Sequence, residues 1–255
     1  MQYCRVQRGL LTLVVLGLGV SQGSAQTMPG GQVMVLPRTA EPLPIDEIAP
    51  AEREKVRNVI TRPTFKGRGA GEAFGGRPEI YDWLLDHPDR ALSAWRRLGA
   101  IASEIVNHGN GHFSWSDNHG SSITWHTVYD QKNLRMWYAE GRVRAAPLTP
   151  LVPVQAVLVL RHGNMAEKDG HSLLMHQTEV FVQTDSRAAA LAARMMGGSV
   201  ARLAEQGLGQ LELFFSGLVW YLDQHPERVG RLLHEEKAPA QGVRTAQESS
   251  SSTHR

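Results

Sequence analysis

Residues 123–140 read ITWHTVYDQKNLRMWYAE, and their alternation sets the fold class. Ile123, Trp125, Thr127 and Tyr129 fall on one side of a two-residue period. Leu134, Met136, Tyr138 and Glu140 resume that period after Asp130-Gln131-Lys132-Asn133. A period of two belongs to a strand whose faces meet different surroundings, so this stretch predicts two strands and a hairpin turn. Downstream, Val154 to Leu160 (VQAVLVL) is a continuous apolar run, and Leu173 to Gln183 (LLMHQTEVFVQ) follows a polar turn at 164–170. Upstream, further strands are expected near 101–106 and at His112–Trp115. Short connections make this a meander of five or six antiparallel strands.

After the last strand the period lengthens. Apolar residues from Ala188 to Leu222 keep helical spacing, interrupted at Gly197-Gly198. The piece from Ser199 to Gln224 would run roughly 39 Å, enough to cross a sheet. Leu208–Leu222 is too short for a membrane span and carries Gln210 and Glu212. Gly207, Gly209 and Gly217 each cost about 1 kcal/mol against Ala in a helix, which predicts close approach there by the sheet or by something between helix and sheet. A first helix is expected at Ile80–Leu98. Trp83-Leu84-Leu85-Asp86-His87-Pro88-Asp89-Arg90 is echoed by Trp220-Tyr221-Leu222-Asp223-Gln224-His225-Pro226-Glu227-Arg228. In both, Pro suits the first turn of a new helix and the acid after it favours that N-terminus, so each copy predicts a helix corner.

The ends of the chain differ from its middle. Met1 to Arg8 holds two bases and no acid, Gly9 to Val20 is apolar, and Ser21, Gly23, Ser24 and Ala25 are small. This pattern predicts a signal peptide at 1–25, cleaved after Ala25, and export to the periplasm or beyond; retention as an uncleaved anchor is the alternative. Cys4 lies inside that segment, so the mature chain has no cysteine for disulfides, thiolate metal sites or nucleophilic catalysis. Residues 26–54 read as a Pro-rich linker or arm, 55–236 as one α+β domain, and 237–255 as a disordered tail. The chain of 255 residues has 27 Lys and Arg against 25 Asp and Glu. Removal of Arg5 and Arg8 balances the signs, leaving no basic footprint for nucleic acid.

The order of first helix, antiparallel meander and long C-terminal helix resembles the helix-grip architecture of the START and polyketide-cyclase-like superfamily. That resemblance implies a curved sheet gripping the helix, with a cavity for lipids, sterols, polyketides or other apolar molecules. In some members it implies cyclase or hydrolase chemistry. The superfamily's opening strand would fall in Val56–Phe65. The segments YDWLLDHPDRALSAWRRLGA, LRMWYAEGRVRAAPLTPLVPVQAVLVLRH and GQLELFFSGLVWYLDQHPERV are also similar to exported bacterial proteins of unknown function.

Two constellations could carry chemistry. His108, His112, Asp117, His119 and His126 offer nitrogen and oxygen ligands, but His108-Gly109-Asn110-Gly111-His112 is a glycine-rich turn that cannot present two rings on one helix face. No metal and no cofactor is expected. The second constellation is Trp125, Trp137, Tyr138, Glu140, Arg142, Arg161, His176 and Glu179 on neighbouring strands, faced by Phe214 and Phe215 and by Met195 and Met196 of the last helix. Aromatic walls with few polar groups describe a ligand pocket, and cross-strand pairs of an ordinary sheet explain the same residues. The expectation is an exported domain holding an apolar or amphipathic, lipid-like small molecule. An enzyme using Glu140, His176 or Glu179 as acid or base is one alternative, with the enzyme question open. A structural or assembly role in the envelope, with transient contact at a membrane surface, is the other.

Overall fold

In the computed structural model the described residues are 42–100, 102–131, 133–144, 150–168, 171–187 and 198–233. A 3₁₀ turn at Ile45–Glu47 leads into α1 (Pro50–Thr61), two short strands β1 (Phe65–Arg68) and β2 (Glu72–Gly75), and helices α2 (Pro78–Asp86) and α3 (Pro88–Arg97). The meander comprises β3 (Ile105–Gly109), β4 (His112–Ser116), β5 (Ser122–Gln131), β6 (Leu134–Arg144), β7 (Leu151–Lys168) and β8 (His171–Gln183). Helices α4 (Gly198–Gln224) and α5 (Pro226–Leu233) follow. The class is α+β: an open antiparallel sheet in the order β1-β8-β7-β6-β5-β4-β3, with β2 also on β8.

The described sheet has eight strands where five or six were expected. The additional pair comes from the stretch FKGRGAGEAFG, which is short and glycine-rich and has no apolar alternation to announce it. β1 and β2 are two halves of one edge along β8, with Phe65 opposite Val182 and Glu72 opposite His176. The expected opening strand at Val56–Phe65 divides differently: Val56 to Thr61 belong to α1, and only Phe65 enters β1. Part of the expected arm is also structured, because Ile48 is buried and packs with Val56 and Val59 of α1 against the sheet. Residues 1–41, Met195, Met196, Gly197 and the tail lie outside the described residues. Strand β7 runs to Lys168, into the stretch expected as a polar turn at 164–170, and β8 begins directly after it at His171.

Helix starts follow a repeated device. α1, α2 and α3 each have Pro in the first turn with an acid beside it, Glu52, Glu79 and Asp89, and α5 opens with Pro226 and Glu227. Pro is preset for helical φ and lacks an N–H that would be unpaired there anyway, while the acid meets the positive end of the helix dipole. Both echoed segments form the expected corners, at His87-Pro88 and His225-Pro226. In the first, the His87 ring stacks on Trp83 with centroids 4.2 Å apart.

Helices cover both faces of the sheet. α1 packs on Met136, Tyr138, Val157, Val159 and Phe181, whereas α4 and the α2–α3 pair pack on the face carrying Trp115, Ile123, Trp125 and Val154. The close approach of α4 is made at the strand glycine Gly67 and not at Gly209 or Gly217. A Cβ on Gly67 would lie 2.7 Å from the Ala204 Cβ, whereas a Cβ on Gly209 or Gly217 would meet nothing within 4 Å. Among the described residues no helix is long and apolar enough to cross a membrane.

Candidate functional site

One cross-strand row explains why space remains between sheet and helix. From β4 to β8 it runs Phe113, Trp125, Ala139, Ala156, Val182, each opposite the next. The two central positions carry only methyl groups, while Trp125 on one side and Leu158 and Trp137 in the neighbouring row hold the surrounding surface out. α4 roofs this depression with Leu211 and Phe215, leaving a cavity of about 130 Å³. Its walls are apolar and aromatic except for a patch formed by Tyr81, His176, Thr178 and Glu212.

That patch is built on an interruption of the sheet edge. Between β1 and β2, Gly69-Ala70-Gly71 leaves the regular ladder, and Glu212 from α4 fills the gap. Its Oε1 accepts the Thr178 N–H and hydroxyl, each at 2.7 Å, and its Oε2 accepts the Gly71 N–H at 3.2 Å. Any side chain on Gly69 would collide with this carboxylate, which lies 2.1 Å from the Cβ position. Glu212 is 3% exposed. Burial of a carboxylate is tolerated because donors converge on it.

Beside it runs a second chain of contacts. Glu72, His176 and His162 occupy one cross-strand row, and Tyr81 descends on it from α2. The Tyr81 hydroxyl is 2.9 Å from His176 Nδ1, and His176 Nε2 is 3.7 Å from Glu72 Oε1. Burial pushes the Glu72 carboxyl up, but His176 and Ser216 beside it prevail and hold it below its ordinary value. Burial raises the Tyr81 hydroxyl well above the ordinary tyrosine value, with Asp82, Glu212 and Glu72 adding in the same direction. Tyr81 therefore keeps its proton. On its far side Tyr81 borders a smaller polar pocket with Asp82, Asn133 and His162. Burial lowers the His162 imidazole, opposed by the nearby Asp82 carboxylate.

The structure divides the ten sequence-selected residues between two faces. Trp125, Trp137, His176 and Phe215 line the cavity, and Glu140 borders it. The Glu140 carboxylate itself turns to the α1 face, where it accepts the Tyr138 hydroxyl at 3.1 Å. Arg142 is exposed on that same face. Arg161 and Glu179 also lie there, Glu179 being 3.1 Å from Arg68 and 3.7 Å from Arg161. Phe214 packs edge-on against Trp95, centroids 5.2 Å apart, and does not line the cavity. Tyr81, Thr178, Glu212, Glu72 and Trp115 were not among the selected residues. Glu212 had a legible signal: it sits four residues after Leu208 and three before Phe215, a charge on the apolar stripe of a helix.

No family model matches the chain, and no curated protein matches it either. Among solved structures it is similar to a conserved protein from Geobacillus kaustophilus, at 12% identity and a TM-score of 0.40, covering 62% of this chain and 97% of that one. It is also similar to a hypothetical protein from Helicobacter pylori, at 11% identity and a TM-score of 0.37, covering 65% of this chain and 92% of that one. An uncharacterized protein from Rhizobium leguminosarum is similar at 13% identity and a TM-score of 0.30, covering 60% of this chain and 99% of that one.

Proposed function

We propose that this chain is an exported, helix-grip-like binding protein that holds an apolar or amphipathic small molecule between its sheet and α4. The observation that carries the reading is the cavity of about 130 Å³ set over Ala139 and Ala156, apolar around most of its wall and polar at one place. Apolar walls with a few convergent polar groups are the common design of small-molecule sites. A dry cavity of about 150 Å³ takes up benzene, so the ligand is compact, of about one ring in size. Export rests on the N-terminal pattern ending at Ala25.

Native mass spectrometry of the mature chain, purified without denaturation from its own host, tests this directly. A stoichiometric small-molecule adduct released by organic solvent is the expected result. A clean apo mass, unchanged after incubation with an extract of the host envelope, removes the reading.

A specific contact also favours an acid–base use of the same cavity. Tyr81 and His176 are both on its wall and 2.9 Å apart, with Glu72 behind the imidazole. Turnover of the extracted molecule by the purified chain, lost in His176→Gln, distinguishes catalysis from storage.

A further inference from the structure

The wall of the cavity carries a negative charge that its own hydrogen bonds do not neutralise; the inference rests on the binding reading above. The groups bonded to Glu212 are the Thr178 N–H, the Thr178 hydroxyl and the Gly71 N–H, all uncharged donors. Each carboxylate oxygen accepts a backbone N–H, as an ionised group does. Among the described residues lining the cavity His176 is the one basic side chain, and it lies 3.7 Å from a second carboxylate, Glu72. Protonated, His176 balances Glu72 and leaves the charge on Glu212; neutral, in either tautomer, it leaves both carboxylates. The site is net negative in every case. Arg135, 5.9 Å over the Trp137 ring, is matched by Asp86 at 2.8 Å and Asp130 at 2.7 Å and brings no net positive charge.

The rest of the wall suits an organic cation. Tyr81, Trp115, Trp125, Trp137 and Phe215 line the same cavity. Aromatic rings attract a cation through their quadrupole, more strongly where water is excluded, and alkyl groups on the nitrogen meet the apolar surface. A bare metal ion fits less well, because no group of three or more His, Cys, Asp or Glu among the described residues is placed to hold one. We propose that the cavity selects compact alkylammonium compounds over neutral molecules of the same shape, with Glu212 as the counter-ion and the aromatic wall as the cage. A trimethylammonium head has about the bulk of one ring and so fits the space over Ala139 and Ala156.

Charge is separated from shape by choline and neohexyl alcohol, its neutral isostere, in which carbon replaces the quaternary nitrogen. Purified full chain is titrated with both, and with toluene, by calorimetry and tryptophan fluorescence at constant ionic strength. The expected result is choline tighter than the alcohol by about tenfold or more, the effect of desolvated contacts of a cation with aromatic rings and a carboxylate. In Glu212→Gln that ratio falls to roughly threefold or less. In Ala156→Leu, which fills the space and keeps every charge, choline binding is lost. Binding of the alcohol equal to or tighter than that of choline, or an unchanged ratio in Glu212→Gln, overturns the cation rule while leaving a cavity that binds. Choline binding retained in Ala156→Leu overturns it as well, by placing the cation elsewhere. If Glu212→Gln does not fold, the wild-type ratio and Ala156→Leu decide. Absence of any response to all three probes overturns the binding reading together with this one.

Discussion

Glu212 and Thr178 are joined twice, the Glu212 Oε1 accepting both the Thr178 backbone N–H and its hydroxyl at 2.7 Å. The second carboxylate oxygen holds Gly71 of the opposite edge, so a helix side chain completes the sheet ladder where β1 and β2 part. Glu212→Ala leaves the Thr178 and Gly71 N–H groups buried and unpaired, at about 1–3 kcal/mol each. The expected loss is on the order of 2–5 kcal/mol in urea unfolding, with Glu212→Gln intermediate because its NH₂ faces groups that donate. A loss below about 0.5 kcal/mol for Glu212→Ala would show that the clamp is not structural.

Gly67 and Gly209 give opposite expectations. Gly67→Ala puts a methyl 2.7 Å from the Ala204 Cβ and is expected to cost about 1–3 kcal/mol, partly restored by Ala204→Gly in the double variant. Gly209→Ala meets open space on a helix and should stabilise by about 0.5–1 kcal/mol. Equal effects at the two positions would contradict the placement of α4 against β1.

The hairpin of β5 and β6 and the long α4 were legible because one periodicity dominates each. Which face of the sheet meets α4 was not. Helices cover both faces, α1 over Tyr138 and α4 over Trp125, so neither face is polar enough to mark the outside. The register also shifts between Thr127 and Tyr129, which carries Tyr129 from the Trp125 side to the Met136 side and defeats a strict two-residue count. Tyr81 was hidden for another reason. It reads as one more core residue of α2, and only the cross-strand placement of His176 gives its hydroxyl a role. The edge strands carry Glu72 to the site, yet their glycines suggest a loop.

His162 should make stability depend on pH. Burial lowers its imidazole from 6.5, so the unfolded chain takes up a proton before the folded one does. Stability is then fully present above about pH 6.5 and falls as the pH drops towards the folded-state value, by at most about 1.4 kcal/mol per pH unit for this group. His126, lowered mainly by burial as well, contributes in the same direction. Urea midpoints between pH 7.5 and 5 should therefore decline in the wild type and decline less steeply in His162→Gln. Parallel slopes for the two proteins would assign the dependence elsewhere.

Ala139 and Ala156 are the residues whose small size creates the cavity, so enlarging one of them separates folding from function. A leucine at position 156 projects between Trp125, Leu158 and Val180 into space that now lacks atoms. Filling a void restores dispersion contacts and removes apolar surface from solvent, so Ala156→Leu is expected to gain about 0.5–2 kcal/mol in urea unfolding. The same side chain occupies the volume assigned to the ring of the ligand, so binding of a one-ring apolar probe such as toluene should fall below detection while the protein becomes more stable. A destabilisation of about 1–3 kcal/mol would be the signature of overpacking and would show that the depression closes in solution. Retained toluene affinity in a stabilised Ala156→Leu protein would place binding outside this cavity, because a small ligand and a leucine cannot share its volume.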